Sequence, residues 1–316
     1  MILVTLDPFG KVSEEPLNTL KNYFKGKESI LIYGHKPKKD ELISLLTTDE
    51  KVTAILSGTE IYDQDVLEVA HDLKIISRAG IGVDNVDLEY CAKKGITVTN
   101  TPDAPSAAVA ELTICQMLNM LRKVQNVNLN SNTKWNRYIG RELGDCIIGV
   151  IGLGRIGGRV LEILKGFHPK RISVNDINTT LMVNHENLSY GVIATSKENI
   201  LKECDIITIH IPLKDDSINN VDYITLDDLN KMKSNVRLLN MSRGGIINEE
   251  DLYEWLKIHP KATTAVDSFK NEKYEGKLLE CRNAYLTPHL GSCTVSSRIA
   301  MEMGAVKNII NYFEAK

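Results

Sequence analysis

The sequence predicts an α/β protein made of two parallel-sheet domains. Three observations lead there: the length of the chain, a regular alternation of short β-branched runs with helix-length stretches, and a glycine-rich turn where one run meets a helix. At 316 residues the chain exceeds the usual size of one hydrophobic core, so two domains of roughly 100–200 residues each are expected. Its 43% hydrophobic and 25% charged residues are ordinary for a globular protein.

The strand candidates fall in two series. In the first third they are "ILVTL", "SILIYG", "VTAIL", "LKIIS" and "ITVTN". The segment Ser106–Arg122 then reads as a helix, apolar on most sides and therefore buried, that leads from one domain to the next. Strand candidates resume with "IIGVIG", "RISVND", "DIITIHI", "NVRLLNMS", "ATTAVD" and "NAYLTP". A final helical segment, Ser296–Phe313, takes the chain back toward the first domain. Strands alternating with helix-length connections are the pattern of a parallel sheet.

Composition narrows the function classes. A formal net charge of -3 provides no broad basic field, so neither nucleic acid nor an anionic membrane is an expected partner, while a small anionic ligand is compatible. The opening "MILVTLDPFG" lacks a basic flank and a cleavage pattern, and no segment reaches the ~20 apolar residues of a membrane span. A cytoplasmic protein is expected. The six cysteines, Cys91, Cys115, Cys146, Cys204, Cys281 and Cys293, are scattered without a C-x-x-C pair, so no metal site and no disulfide framework is expected.

The stretch "VIGLGRIGGRV" places Gly152, Gly154 and Gly157, with Arg155 and Ile156 between the last two, after a strand candidate and at the start of a helix. In the dinucleotide-binding fingerprint the first glycine permits a tight turn, the second lets the backbone approach a pyrophosphate, and the third lets helix and strand pack closely. The helix amino terminus adds free N–H groups and partial positive charge. Asp176 ends the next strand candidate, nearly twenty residues past the last glycine, where a carboxylate accepts hydrogen bonds from a ribose and repels a 2′-phosphate. NAD is therefore favoured over NADP. Asp176, His210, Arg243, Asp267 and His289 each sit at or just beyond the carboxyl end of a strand candidate, the edge at which open α/β sheets bind ligands.

"GLGRIG", "HIPL", "NMSRGGIINEEDL", "VDSFKNE" and "TPHLGS", together with "SRAGIGVDNVD", make the chain resemble the D-isomer-specific 2-hydroxyacid dehydrogenase family, and "RAGIGVDNVDLEYCAKKGITVTNTP", "AELT" and "KWNRYIGREL" make it resemble phosphoglycerate dehydrogenase-like members within it. The resemblance implies a Rossmann dinucleotide-binding domain inserted in a flavodoxin-like substrate domain. The implied boundaries are residues 1–100 and 288–316 for the substrate domain and 101–287 for the NAD-binding domain. It also implies a homodimer and a small anionic 2-hydroxy or 2-keto acid substrate. Arg243 would bind the substrate, Glu272 would be the acidic partner, and His289 the general acid/base. His210 and Pro212 would lie in a cofactor-contacting turn, Met241 and Ser242 would flank the nicotinamide ribose, and Asp267 would lie near the carboxamide. In the first domain, the turns that hold Ser57 and Gly58 and that run from Arg78 follow strand candidates, where backbone N–H groups can meet the substrate carboxylate; by the resemblance, Gly80 and Ile81 would face it.

Chemistry makes sense of the trio. Hydride transfer to a 2-keto carbon leaves a developing alkoxide, which needs a proton donor beside the oxygen and a cation on the carboxylate. Histidine, with an unperturbed pKa of ~6.5, gives and takes that proton, glutamate stabilises the imidazolium, and the arginine fork suits a carboxylate. One departure stands out: Lys273 follows Glu272 where the family usually has proline.

The substrate stays open between 3-phosphoglycerate, the leading reading, and a small acid such as hydroxypyruvate or glyoxylate. Some phosphoglycerate dehydrogenases carry an arginine where this chain has Ser57, Gly58 and Thr59. Lys134, Arg137 and Arg141 offer positive charge, either as a solvated basic turn or across a dimer interface. A non-catalytic NAD-sensing scaffold is the alternative from another class; loss of Arg243, Glu272 or His289 would mark it, and all three are present.

Overall fold

A computed structural model describes residues 1–126, 137–188, 191–213 and 218–315. Its contacts divide the chain into two compact units, Met1–Pro105 with Ser292–Lys316, and Ser106–Gly291. The first begins β1 (Ile2–Val4), α1 (Glu15–Phe24), β2 (Ile30–Ile32), α2 (Lys39–Leu46), β3 (Ala54–Ser57), α3 (Gln64–Glu68), β4 (Ile75–Arg78), α4 (Leu88–Lys94) and β5 (Thr97–Thr99). The strands pair in parallel in the order β2-β1-β3-β4-β5, the flavodoxin-like arrangement. Side chains alternate across it: Leu3, Ile55 and Ile76 face a core built with Leu42, Val66, Leu67 and Cys91 of α2, α3 and α4. Local chemistry sets the helix ends. Asp63 and Asp87 accept from the backbone N–H groups of Val66 and Tyr90, and Gly95, at φ 70, stops α4 in a left-handed turn.

The second unit runs α5 (Ser106–Arg122), β6 (Ile147–Ile151), α6 (Arg155–Lys165), β7 (Arg171–Asn175), α7 (Thr179–Leu188), β8 (Val192–Ala194), α8 (Lys197–Glu203), β9 (Ile206–Ile209), α9 (Leu226–Lys231), β10 (Arg237–Asn240), α10 (Glu249–Ile258), β11 (Thr263–Val266) and β12 (Ala284–Leu286). All its strands are parallel, in the order β12-β11-β10-β9-β6-β7-β8. The chain fills one side from β6 outward, then returns to lay β9 on the other, so the order reverses between β6 and β9. That reversal is where doubly wound sheets open a ligand crevice. β8 is an edge strand absent from the sequence expectation; three residues with an exposed Ile193 give too short a run to read.

Helices α5 and α6 cover one face over Ile148, Val150, Val174 and Leu239, and α8 and α10 cover the other over Ile207, Ile209 and Leu238. Each fully buried aliphatic side chain contributes about 1.5–3 kcal/mol of transfer free energy. The expected helix Ser106–Arg122 is α5 residue for residue. The pairings Ile151↔Asn175, Ile151↔Ile209, Ile209↔Asn240, Asn240↔Val266 and Val266↔Leu286 end five of these strands level with β6. The residues that follow, Gly152, Asp176, His210, Met241, Asp267 and Thr287, therefore line one edge.

The chain then returns to the first unit as α11 (Val295–Glu314), capped by Thr294. Its Met301, Ala305, Val306 and Ile309 pack with Leu20 and Phe24 of α1 on the second face of the β2-β1-β3-β4-β5 sheet. Among the described residues no helix is long and apolar enough to cross a membrane.

Candidate functional site

The glycine loop is built around close approaches. Gly152 has φ +91, and a Cβ there would lie 2.5 Å from the His210 carbonyl oxygen. A Cβ on Gly157 would lie 1.8 Å from the Gly152 oxygen, so only glycine lets α6 start this near β6. Gly154 differs: a Cβ there meets nothing within 4 Å. The two flanking glycines serve the protein's own packing, and the middle one borders open space, the side on which a diphosphate fits. Arg155 is exposed at the start of α6, and Ile156 packs partly against the core.

Asp176 fastens the loop from β7. Its Oδ2 accepts from Leu153 N at 2.6 Å and its Oδ1 from Asn178 N at 2.7 Å, and the residue is half-buried. His210 is buried, with Nε2 2.9 Å from Thr208 Oγ1. Burial pushes its pKa down to about 3, so the imidazole is neutral. Its Nδ1 is buried without a hydrogen-bond partner, an orphaned polar atom at the ligand edge that calls for an explanation. Pro212 is exposed, its carbonyl held by Asn220 Nδ2 at 2.7 Å.

His289 and Glu272 come together: Nδ1 and Oε1 are 3.0 Å apart. His289 has φ 52, a left-handed conformation uncommon for a non-glycine residue. Asp267 fixes it there. One carboxylate oxygen accepts from Thr287 Oγ1 at 2.5 Å and Leu290 N at 2.8 Å, the other from Gly291 N at 2.8 Å. The Asp267 carbonyl takes the His289 N–H at 2.9 Å. Sequence reading set Asp267 beside the cofactor; its carboxylate accepts from the loop that carries His289. Lys273, at φ 63, also adopts the left-handed region. Proline, locked near φ -65°, does not reach it, so the loop after Glu272 takes a path different from that of a proline-bearing one.

Arg243 stands on the neighbouring turn after β10. Asn240 organises this turn, donating from Nδ2 to the Arg243 carbonyl at 2.7 Å and accepting from Ser242 Oγ at 2.8 Å and Ser242 N at 3.2 Å. Arg243 Nη1 donates to the Ser242 carbonyl at 3.0 Å. A Cβ on Gly244 would lie 1.9 Å from the Phe269 carbonyl carbon, so the arginine turn and the loop leading to Glu272 touch backbone to backbone. Met241 and Ser242 are buried, the former in the core. Asn240, Gly244 and the role of Asp267 escaped sequence reading, although a buried-type Asn directly before "MSRGG" was a readable signal.

In the first unit the expected turn donors are engaged from within. Gly58 N donates to the buried Glu60 Oε2 at 2.8 Å, and Thr5 Oγ1 donates to the same oxygen at 3.2 Å. Gly80 N donates to Thr101 Oγ1 at 2.7 Å, and the Ile81 carbonyl accepts from Asn100 Nδ2 at 2.6 Å. Ser57 is buried. The Arg78 guanidinium occupies the space a Gly80 side chain would take, with Nη1 2.9 Å from the Ala79 carbonyl. Neither Gly58 nor Gly80 offers its N–H to a ligand in this arrangement. Lys36 Nζ, missed in the sequence, reaches Thr59 Oγ1 at 2.8 Å. Of the basic trio, Arg141 bonds the Asp145 carbonyl and the Asp205 carboxylate, Arg137 is exposed, and Lys134 lies outside the described residues. Among the described residues no group of three His, Cys, Asp or Glu is placed to hold a metal ion. Burial pushes the Cys91 and Cys204 thiols up to about 11, away from reactivity.

Residues 114–291 match a family model described as the NAD binding domain of D-isomer specific 2-hydroxyacid dehydrogenases. The chain is 38% identical over 268 residues to the D-3-phosphoglycerate dehydrogenase of Methanocaldococcus jannaschii, covering 83% of this chain and 49% of that protein. It is 32% identical over 288 residues to the hydroxypyruvate reductase of Thermotoga maritima, covering 88% of this chain and 90% of that one. Among solved structures, it superposes with a TM-score of 0.80 and 26% identity on an NAD+-bound 3-phosphoglycerate dehydrogenase from Entamoeba histolytica, covering 99% and 95% of the two chains. The chain spans about half the length of the Methanocaldococcus jannaschii protein and of a Synechocystis D-3-phosphoglycerate dehydrogenase that it also matches.

Proposed function

The chain belongs to the D-isomer specific 2-hydroxyacid dehydrogenase family, and from that premise we propose that it is an NAD-dependent enzyme interconverting a D-2-hydroxy acid and its 2-keto acid, with 3-phosphoglycerate the leading substrate. The observation that carries the reading is the His289–Glu272 pair, 3.0 Å apart on a loop fixed by Asp267. A histidine held in left-handed backbone by a buried carboxylate is strained for a purpose other than packing.

The residues present fit the dinucleotide. Gly154 borders open space where a Cβ would otherwise stand, Asp176 follows β7 to meet a ribose, and the orphaned His210 Nδ1 waits at the same edge. When bound, the nicotinamide supplies or takes up the hydride. Arg243 holds the substrate carboxylate through its guanidinium fork. With Nδ1 turned to Glu272, His289 gives its Nε2 proton to the forming alkoxide during reduction and removes it during oxidation; Glu272 stabilises the imidazolium between the two. Asp267 acts through His289 by fixing its loop.

A second reading, reduction of a small 2-keto acid such as hydroxypyruvate or glyoxylate, is favoured by the turn after β3, where Gly58 already carries the Glu60 carboxylate and repels further negative charge. Lys36 at Thr59 favours the phosphorylated acid. Comparing kcat/KM for phosphohydroxypyruvate and hydroxypyruvate separates the two, and Lys36→Ala lowers only the former if the phosphate is recognised there. A folded protein that oxidises no NADH across a panel of 2-keto acids overturns both. The same reading carries a homodimer, supported by the exposed Tyr138 and Ile139 and checked by light scattering.

A further inference from the structure

The carboxyl edge of the β12-to-β8 sheet does not account for one concavity of the second unit. A cavity of about 780 Å³ opens at the opposite, amino edge, lined among others by Arg237, Thr263, Lys123, Lys257, Lys261 and Arg282. Arg237 and Thr263 open β10 and β11 and are direct neighbours in the sheet. Both are nine-tenths buried, at 8% exposure each, and both carry a buried polar atom with no partner, Arg237 Nε and Thr263 Oγ1.

A buried guanidinium without an anion is unfavourable, because desolvation of the charge is left uncompensated. Among the described residues Arg237 has no ion pair; its Nη1 donates to the Asn235 carbonyl at 2.8 Å. The nearby Asp205 carboxylate is taken by Arg141 at 3.3 Å, Lys233 at 2.9 Å and Ile147 N at 3.0 Å. Burial, and then the Arg141 charge, push the Arg237 pKa below its ordinary value. The one acid on the cavity wall, Glu280, accepts from Tyr253 OH at 3.1 Å. Cations thus outnumber anions around a hollow whose innermost donors are unsatisfied.

We propose that this cavity binds a small multivalent oxyanion, which accepts from Arg237 Nε and Thr263 Oγ1 at its floor and is neutralised by Lys261, Lys257 and Arg282 at its rim. Four-residue strands separate it from the dinucleotide edge by about 13 Å, so the anion and NADH bind together. The inference does not depend on which acid the enzyme turns over.

The test is thermal unfolding of the NADH-saturated full chain with inorganic pyrophosphate or citrate, against sodium chloride of equal ionic strength. A ligand that binds only the folded state raises Tm with concentration, so a saturable rise is expected. Pyrophosphate acting without citrate identifies a phosphate-type ligand, and both acting identifies charge alone. The surface variant Lys261→Ala/Arg282→Ala should fold as the parent does and weaken the apparent Kd at least tenfold, and Arg237→Gln should abolish the response. No rise beyond the salt control, or a rise unchanged in the surface variant, overturns the proposal. So does a response-free parent whose self-association is lost in Arg237→Gln, since a second copy of the chain would then fill the cavity.

Discussion

At the carboxyl edge of the Ser106–Gly291 sheet the glycine turn is open, whereas at the same edge of the Met1–Pro105 sheet the glycine turns are filled by the protein's own side chains. Both sheets are parallel and doubly wound, and both put glycine directly after a strand. Yet Gly154 borders empty space, while Gly58 and Gly80 give their N–H groups to Glu60 and Thr101. The buried ionisable groups differ in kind too: a neutral His210 at one edge and a desolvated Glu60 at the other. Topology prepares an edge for a ligand; whether its donors stay unsatisfied decides if it is one.

The largest effect expected tests the open edge. His289→Asn keeps a residue type that tolerates left-handed backbone, so it should fold and bind NADH as before while kcat falls by about 10²–10⁴. Unchanged turnover would remove the histidine from the chemistry and leave the open edge a binding site only.

A pair of alanines probes the glycine turn itself. Gly157→Ala forces a Cβ against the Gly152 oxygen and should destabilise by about 1–3 kcal/mol. Gly154→Ala should leave stability within about 0.5 kcal/mol but raise the NADH Kd by roughly tenfold or more, about 1.4 kcal/mol, since its Cβ enters the ligand's space. Calorimetric titration and urea unfolding read the two separately; equal effects on stability would erase the distinction between packing and ligand glycines.

The two edges should also respond to pH with opposite sign. His210 titrates near 3 in the folded chain against 6.5 ordinarily, so the unfolded state binds more protons between those values. Stability is fully present above about pH 6.5 and is lost as pH falls toward 3, by a magnitude on the order of several kcal/mol. The buried Trp255 belongs to the second unit, so its fluorescence follows that unit, and His210→Gln should flatten the acid slope. Glu60 is raised from 4.5, chiefly by burial; there the native state binds more protons, and stability falls as pH rises above about 4.5 through the raised value. Glu60→Gln should remove that smaller slope, read by hydrogen exchange in β1 and β3. Parallel slopes in the two units would contradict the contrast.

Much of this was legible in the chain. The strand candidates of both units hold all but β8, and the Ser106–Arg122 helix was readable from end to end, because apolar patterning is local. Gly152 and Gly157 were readable for a similar reason: φ and close packing restrict them whatever surrounds them. What stayed hidden joins residues far apart in sequence. Asp267 holds Thr287, Leu290 and Gly291 across twenty or more residues of chain, and nothing near Arg237 announces that it has no ion pair among the described residues.

The sequence by itself determined the α/β class, the two parallel sheets, and the residues that follow each strand, because backbone preference and side-chain period act over a few neighbouring residues; the flavodoxin-like and Rossmann character came from its resemblance to a family. Only the tertiary structure decided which turn donors are occupied, which buried cation has no ion pair among the described residues, and how His289 is held toward Glu272. Hydrogen bonds and charges are satisfied through space, and their partners are chosen by packing that no local pattern encodes.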